Sequence, residues 1–243
     1  MKNSESGFTL IELMVAMAMA SIVVGVIYSA HRTQTKIYTE QDKVAEMQQN
    51  IRSGLMFLQR EARMAGYNPK DANDKSCNAN PTAGPSVAPG IHTATATRFG
   101  FSMDLNGDGD CADSNENVTY SLYTANGVQN LGRAAPGNQP VAENITHINF
   151  VYMFPPPLVG TAVVKSPTST PLAVDFKNII AVQVSLIARA KAPDQKTHTT
   201  SFSLPVLNAW GNADGGTVWK SFTDSYSRRL LTITINCRNM GLE

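Results

Sequence analysis

The sequence predicts an α+β fold in which one long N-terminal helix is followed by an antiparallel β-sheet. An apolar run from Phe8 to Ala30 continues, with no Pro, into a stretch whose apolar residues recur at every seventh position up to Ala65. The rest of the chain contains short alternating segments separated by Gly, Pro and Asn turns, a pattern typical of antiparallel strands. The 243 residues therefore suffice for one helix laid across the sheet of one β-rich domain.

The first half of the predicted helix, residues 8–30, is long enough to cross a bilayer, which takes roughly 20 apolar residues. Glu12 is the only charged side chain in this half. Placing a lone carboxylate in hydrocarbon costs on the order of 2.5–3.5 kcal/mol, so such a residue indicates a functional contact with a partner. The alternative is that Glu12 reaches the headgroups or is favoured by the positive end of the helix dipole.

The second half of the predicted helix, residues 31–66, carries an apolar stripe along one face. Its members are spaced by seven, with a second set four positions further on: Ile37, Val44, Ile51, Leu58 and Ala65, then Gln41, Gln48, Leu55 and Ala62. Gly66, followed by Asn68-Pro69, is a helix stop signal. We expect the stripe to pack on the protein's own sheet from about Val44 onward, and a coiled-coil seam is the alternative.

Residues 67–243 are predicted to form the β-rich domain, with six or seven strands. The candidate segments are Arg98–Met103, Asn117–Tyr123, Gly127–Arg133, Asn144–Phe154, Ile179–Ala190, Thr199–Leu207 and Arg229–Cys237. Two segments rich in Pro, Thr and other turn-forming residues, Asn68–Ala96 and Leu158–Lys177, are predicted to be loops. In Ile179–Ala190, apolar residues alternate with polar ones, which predicts a half-buried strand.

Three cysteines allow three single pairings, and spacing does not distinguish among them. Cys237 shares a strand face with Leu231, Ile233 and Ile235, so we expect it in the core as a small apolar residue. Cys77 and Cys111 both lie in predicted loops. Because strand parity assigns Cys237 to the core, it favours a disulfide between Cys77 and Cys111, which would stabilise the fold by about 3–4 kcal/mol.

An acidic segment has the spacing of the first half of a calcium-binding loop. Its candidate oxygen ligands are Asp104, Asn106, Asp108 and Asp110, with Asp113 or Glu116 closing the site. A hard cation would hold together carboxylates that otherwise repel one another. The twelfth position is Asn115 instead of the bidentate Glu of an EF-hand, and a solvated Asn/Asp/Gly turn is the alternative.

Composition and motifs give no reason to propose an enzyme or a nucleic-acid-binding protein. Twenty basic and nineteen acidic residues leave a net charge of +1, so no nucleic-acid partner is expected. The four histidines are scattered, and the sequence contains no HExxH motif, phosphate-binding glycine loop or GxSxG elbow. No catalytic residue and, apart from the candidate Ca²⁺, no cofactor is predicted.

The segment Gly7-Phe8-Thr9-Leu10-Ile11-Glu12 and the apolar run after it resemble the class III signal of type IV pilins and type II secretion pseudopilins. The resemblance implies that residues 1–7 are a leader, that a prepilin peptidase cuts between Gly7 and Phe8, and that the new amine of Phe8 is methylated. It also implies that Glu12 pairs with the N-terminal amine of a neighbouring subunit during assembly. The fold implied is a pilin-like roll, and no enzymatic activity is implied.

Two further segments resemble one subfamily. The helix end Gln59–Tyr67, which reads QREARMAGY, and the terminal segment Arg228–Asn239 are similar to those of PilW-type minor pilins. This implies a minor pilin that helps to initiate or cap type IV pilus assembly, with other minor and major pilins, and possible tip adhesins, as partners. It would be a single-pass inner-membrane protein with a periplasmic C-terminal domain, and would reach the cell-surface pilus after assembly. The alternatives are a J-type pseudopilin of type II secretion and a pilus-tip adhesin or ligand-binding module.

Overall fold

The computed structural model describes residues 7–69, 90–108, 111, 113–134, 137–155, 169–194, 196–204 and 218–240. These residues contain one α-helix, one 3₁₀-helix and ten strands, and the α+β prediction is confirmed. The chain divides into two compact units, residues 1–45 and residues 46–243, with the division inside the long helix.

The elements follow one another in a simple order. They are α1 (Leu10–Ala62), β1 (Ile91–Ala94), β2 (Arg98–Ser102), β3 (Asn117–Ala125), β4 (Val128–Ala134), β5 (Asn138–Ala142), β6 (Ile145–Met153), the 3₁₀-helix η1 (Ala173–Asn178), β7 (Ala181–Arg189), β8 (His198–Leu204), β9 (Val218–Asp224) and β10 (Arg228–Asn236).

Helix α1 is slightly shorter at both ends than the predicted segment. Its first helical residue is Leu10, directly after Thr9, and its last is Ala62, followed by turns up to Gly66. Gly66 has a φ of +75°, the left-handed conformation that commonly ends helices. The Gly66 N–H donates to the carbonyl oxygen of Ser102 at 2.9 Å, so the chain leaving the helix is attached directly to β2.

The buried face of α1 begins at Met47 and lies in the second unit. Its members are Met47, Ile51, Gly54, Leu55, Leu58, Glu61 and Ala62, and four of them, Ile51, Leu55, Leu58 and Ala62, belong to the same core cluster as the strands. A Cβ atom on Gly54 would lie 2.7 Å from the Cβ atom of Ala142, so glycine permits this close approach of the helix to β5. The predicted packing of the stripe on the protein's own sheet is confirmed.

The strands form three antiparallel sheets instead of the single sheet that the sequence predicted. The orders are β1-β2-β3-β4-β5, β10-β7-β6 and β8-β9. The described residues contain ten strands, more than the six or seven predicted: β1 lies within the predicted loop Asn68–Ala96, and β5 and β9 lie outside the candidate segments. Strand β1 has only four residues, and β5 includes Pro140, which edge strands tolerate.

The sequence Ala125-Asn126-Gly127 between two candidate strands predicts a hairpin, and β3 and β4 pair as one. Asn126 and Gly127 have φ values of 52° and 75°, the pair of positive angles that a type I′ turn requires.

Strand β7 buries its predicted apolar face, but it was wrong to expect the other face to be solvent-exposed. Val184 and Leu186 lie in the core, and on the opposite face Ser185 and Ile187 are also fully buried. Toward the two ends of this face Gln183 and Arg189 are only half-buried, and the Ser185 hydroxyl lies 2.9 Å from the Thr232 hydroxyl of β10.

Candidate functional site

Thr9 and Glu12 form reciprocal hydrogen bonds at the start of α1. The Glu12 Oε2 atom accepts hydrogen bonds from the Thr9 N–H and from the Thr9 hydroxyl, both at 2.8 Å. The Glu12 N–H in turn lies 3.4 Å from Thr9 Oγ1 and donates to it. This is a capping box, in which the first residues of the helix satisfy one another's polar groups.

The capping box adds Thr9 to the predicted N-terminal site of Gly7, Phe8 and Glu12. Thr9 is not among the site residues predicted from the sequence, although the T-x-x-E spacing before an apolar run is a known signal for this motif. In the described part of the chain these bonds engage only Oε2 of Glu12. The carboxylate is therefore held beside the start of the helix.

The apolar side chains around Glu12 face outward. Phe8, Leu10 and Ile11 are 92, 78 and 70 % exposed, and the most apolar window of α1 buries none of its residues inside the protein. By length and composition α1 is able to cross a membrane. An apolar surface this continuous requires a lipid bilayer or other protein subunits as its surroundings.

A buried ion pair connects the C-terminal end of α1 to the five-stranded sheet. Glu61, in the QREARMAGY segment, accepts hydrogen bonds from Arg133 Nε at 2.8 and 3.0 Å. Its Oε2 also accepts a hydrogen bond from the Tyr120 hydroxyl at 2.6 Å. The Glu61 and Arg133 side chains are only 10 and 6 % exposed. Burial, followed by the neighbouring carboxylate, raises the pKa of Tyr120, so this hydroxyl stays protonated and donates.

The same arginine also contacts the acidic segment. Arg133 Nη1 donates to the Asn115 side-chain oxygen at 3.1 Å, and Asn115 has a φ of 76°. The twelfth position of the calcium-like pattern thus contacts the buried ion pair at the helix end. The hydrogen bond from Arg133 to Asn115 thus connects the acidic segment to the helix–sheet junction, and no local sequence pattern indicates it.

Two carboxylates of the acidic segment accept hydrogen bonds from backbone N–H groups of the same segment. Asp104 and Glu116 are both buried; Asp104 accepts from the Gly107 N–H at 2.6 Å, and Glu116 accepts from the N–H groups of Leu105 and Asp113 at 3.0 and 3.2 Å.

The remaining described calcium candidates lie together. The Asn106 side-chain amide donates to the carboxylates of Asp108 and Asp113 at 2.9 and 2.7 Å, while Asp110 lies outside the described residues. No group of three or more His, Cys, Asp or Glu side chains in the described part of the chain is placed to hold a metal ion. Calcium binding stays a prediction.

The cysteines occupy different environments. Cys237 is free and buried in the core, next to the apolar face of β10, and burial raises its pKa to about 12. Cys111 is buried and disulfide-bonded. Cys77, the partner that the sequence predicts for it, lies outside the described residues, so the pairing itself stays a prediction.

Arg228 begins the terminal segment Arg228–Asn239 and stabilises the turn between β9 and β10. Its guanidinium donates from Nη1 and Nη2 to the two carboxylate oxygens of Asp224, both at 2.6 Å, and lies 4.2 Å above the ring centre of Phe222. The hydrogen bonds from Arg228 are the main reason that the pKa of Asp224 is lowered to about 2. The arginine thus has a structural role in the described fold.

Comparison with known proteins identifies the N-terminal segment. Residues 2–28 match the family model described as the prokaryotic N-terminal methylation motif. No curated protein and no solved structure matches the chain.

The chain therefore has a class III signal and a long apolar helix, the combination that characterises type IV pilin-like proteins. Within this class, the motif supports a pilin-like or pseudopilin protein that associates with a membrane and with other pilin-like subunits. Proteins with this motif form a structural, non-enzymatic family.

Proposed function

We propose that this chain is a minor pilin of the PilW type, a structural subunit that helps to initiate or cap type IV pilus assembly. The observation that carries the proposal is that the methylation motif continues directly into α1. The first half of this helix exposes an apolar surface and carries one carboxylate, Glu12, that is hydrogen-bonded to Thr9. Before assembly this surface lies in the inner membrane, with residues 46–243 in the periplasm. Afterwards it lies among the helices of neighbouring subunits, and the subunit is part of the cell-surface pilus.

In this proposal, prepilin peptidase cuts between Gly7 and Phe8, and the methylated amine of Phe8 becomes the chain start. The Thr9 N–H is an ordinary amide before and after cleavage, so the capping box is retained in the mature chain. One carboxylate oxygen of Glu12 then faces Thr9, and the other accepts a hydrogen bond from the amine of an adjacent subunit. Charge pairing of this kind lowers the cost of keeping Glu12 in an apolar environment.

The subfamily assignment rests on the QREARMAGY segment, and the structure offers a physical reason for its pattern. Glu61 is the buried acid of the helix–sheet junction, and Gly66 is the left-handed residue that turns the chain onto β2. The exposed Arg60 and Arg63 flank the buried acid. Other minor pilins, major pilins and a tip adhesin are the proposed partners.

The test is complementation of a deletion strain. We expect the deletion to abolish surface pili and twitching while leaving protein secretion intact. Loss of secretion with normal pili would instead favour the J-type pseudopilin. A tip adhesin or ligand-binding module would be favoured if strains without the chain still assembled pili but failed to bind a surface or ligand.

Three variants examine the N-terminal site. Gly7→Ser is expected to keep the leader, seen as a larger membrane-bound form by mass spectrometry. Glu12→Ala is expected to be cleaved normally but to be absent from sheared pili. Glu46→Ala, which changes an exposed glutamate further along α1, is the matched control and is expected to assemble like the wild type. Normal incorporation of Glu12→Ala would contradict the assembly role of this carboxylate.

A further inference from the structure

A polar cleft of about 510 Å³ lies in the second unit, between the five-stranded sheet, the start of β6 and strand β9. Three basic side chains from three separate strands line it: Arg98 of β2, His147 of β6 and Lys220 of β9. No acidic side chain is among the described residues that line the cleft. The chain as a whole has a net charge of only +1, so the cleft is a local concentration of positive charge.

The backbone around Arg98 is firmly held. Its carbonyl oxygen accepts a hydrogen bond from the Tyr152 hydroxyl at 3.0 Å, and nearby the Phe150 N–H donates to Ala96 O at 2.9 Å. These bonds join β2 to β6, the strand that carries His147. The guanidinium of Arg98 and the imidazole of His147 therefore project from backbones in a fixed arrangement.

The basic groups influence one another. Burial, and then the positive charge of Lys220, lower the pKa of His147. An opposite charge nearby would have the reverse effect. Arg98 and Lys220 are the cationic side chains that line the cleft, and a cleft lined by one sign of charge concentrates ions of the opposite sign.

Neutral hydrogen-bonding groups surround these charges. Ser121 is paired with Arg98 across the β2–β3 ladder, and Gln129 and Thr146 also line the cleft. The Thr146 hydroxyl donates to Ile187 O at 3.2 Å, which leaves its oxygen free to accept. Hydroxyl and amide groups both donate and accept, as the hydroxyls of a sugar do.

We propose that this cleft binds an acidic sugar unit, a carboxylate-bearing and hydroxyl-rich ligand of the uronate type. The carboxylate would pair with Arg98 and Lys220, and the sugar hydroxyls would exchange hydrogen bonds with Ser121, Gln129 and Thr146. The volume lies within the range of about 300–1,000 Å³ of small-ligand sites. This activity is additional to the assembly role and does not depend on it.

The test is equilibrium dialysis of the full chain in detergent micelles against radiolabelled glucuronate, glucose or inorganic phosphate. We expect glucuronate to bind and glucose to bind at least about tenfold more weakly, because glucose has no carboxylate to form charge-assisted hydrogen bonds with Arg98 and Lys220. Phosphate, which lacks the ring hydroxyls, should also bind more weakly. Equal binding of phosphate and glucuronate would show that the charge alone is recognised, and would overturn the proposal.

Two variants and a control locate the site. Arg98→Gln and Lys220→Gln are each expected to reduce glucuronate binding about tenfold or more. Arg229→Gln changes an exposed arginine on β10 that does not line the cleft, and is expected to bind like the wild type. Thermal unfolding of each variant checks that it is folded. Absence of glucuronate binding to the wild type, or an equal loss in Arg229→Gln, would overturn the proposal.

Discussion

Replacing Glu61 by Gln is expected to destabilise the β-rich unit strongly. The substitution keeps the size of the side chain but removes the charge that Arg133 faces at 2.8 Å, in a place where both side chains are nearly buried. Removing one partner of a buried ion pair costs about 3–5 kcal/mol, because the other charge stays in a poorly solvated environment. The Tyr120 hydroxyl also exchanges a charged acceptor for a neutral amide.

This cost corresponds to a measurable change in melting temperature. For a domain of roughly 200 residues, each kcal/mol shifts the Tm by about 2–4 °C, so Glu61→Gln is expected to lower it by roughly 6–20 °C. The measurement is thermal unfolding of the full chain in detergent, followed by near-UV circular dichroism. Arg63→Gln, an exposed charge one residue beyond the helix end, is the matched control, and surface changes of this kind usually alter stability by no more than about 0.5 kcal/mol.

A double-mutant cycle with Arg133→Met separates the ion pair from general packing. Each single change removes one partner of the Glu61–Arg133 ion pair, whereas the double change removes both charges. We therefore expect the double variant to lose clearly less stability than the sum of the two singles. Equal melting of Glu61→Gln and Arg63→Gln, or simple addition of the two losses, would show that the ion pair does not stabilise the fold.

Three further predictions concern the helix end, the β9–β10 turn and the acidic segment. Gly66→Ala is expected to cost about 1–2 kcal/mol in denaturant unfolding, because φ is +75° and the new Cβ would lie 2.9 Å from Met240 Sδ; an unchanged midpoint would contradict this. The folded-state pKa of Asp224 is lowered by Arg228, so the stabilisation from this pair is present above about pH 4 and is lost as the pH falls toward 2. The stability difference between the wild type and Asp224→Asn should therefore shrink over that window, and a constant difference would count against the pairing. Calcium is expected to raise the melting temperature of the wild type but not of Asp108→Ala, and identical melting of the wild type with calcium and with chelator would exclude the site.

Local patterns were enough to predict the elements whose signals lie within a few residues. The class III signal, the helix stop at Gly66 and the Asn126-Gly127 hairpin each depend on a short stretch of sequence, and the long helix depends on a repeat of neighbouring positions. Thr9 belongs to the same group, since its capping box spans four residues and was available from the sequence. Chain-local chemistry therefore determined where the chain enters the helix, leaves it and reverses direction.

Long-range pairing decided the rest. The division into three sheets depends on which strands become neighbours. Glu61 and Arg133 are 72 residues apart, so their ion pair exists only after the helix has packed on the five-stranded sheet. Arg98, His147 and Lys220 come from three strands and share a cleft for the same reason. By itself, then, the sequence determined the signal and the helix, because their interactions are local, whereas the tertiary structure alone decided the buried charges and the cleft, because residues far apart in the chain form them.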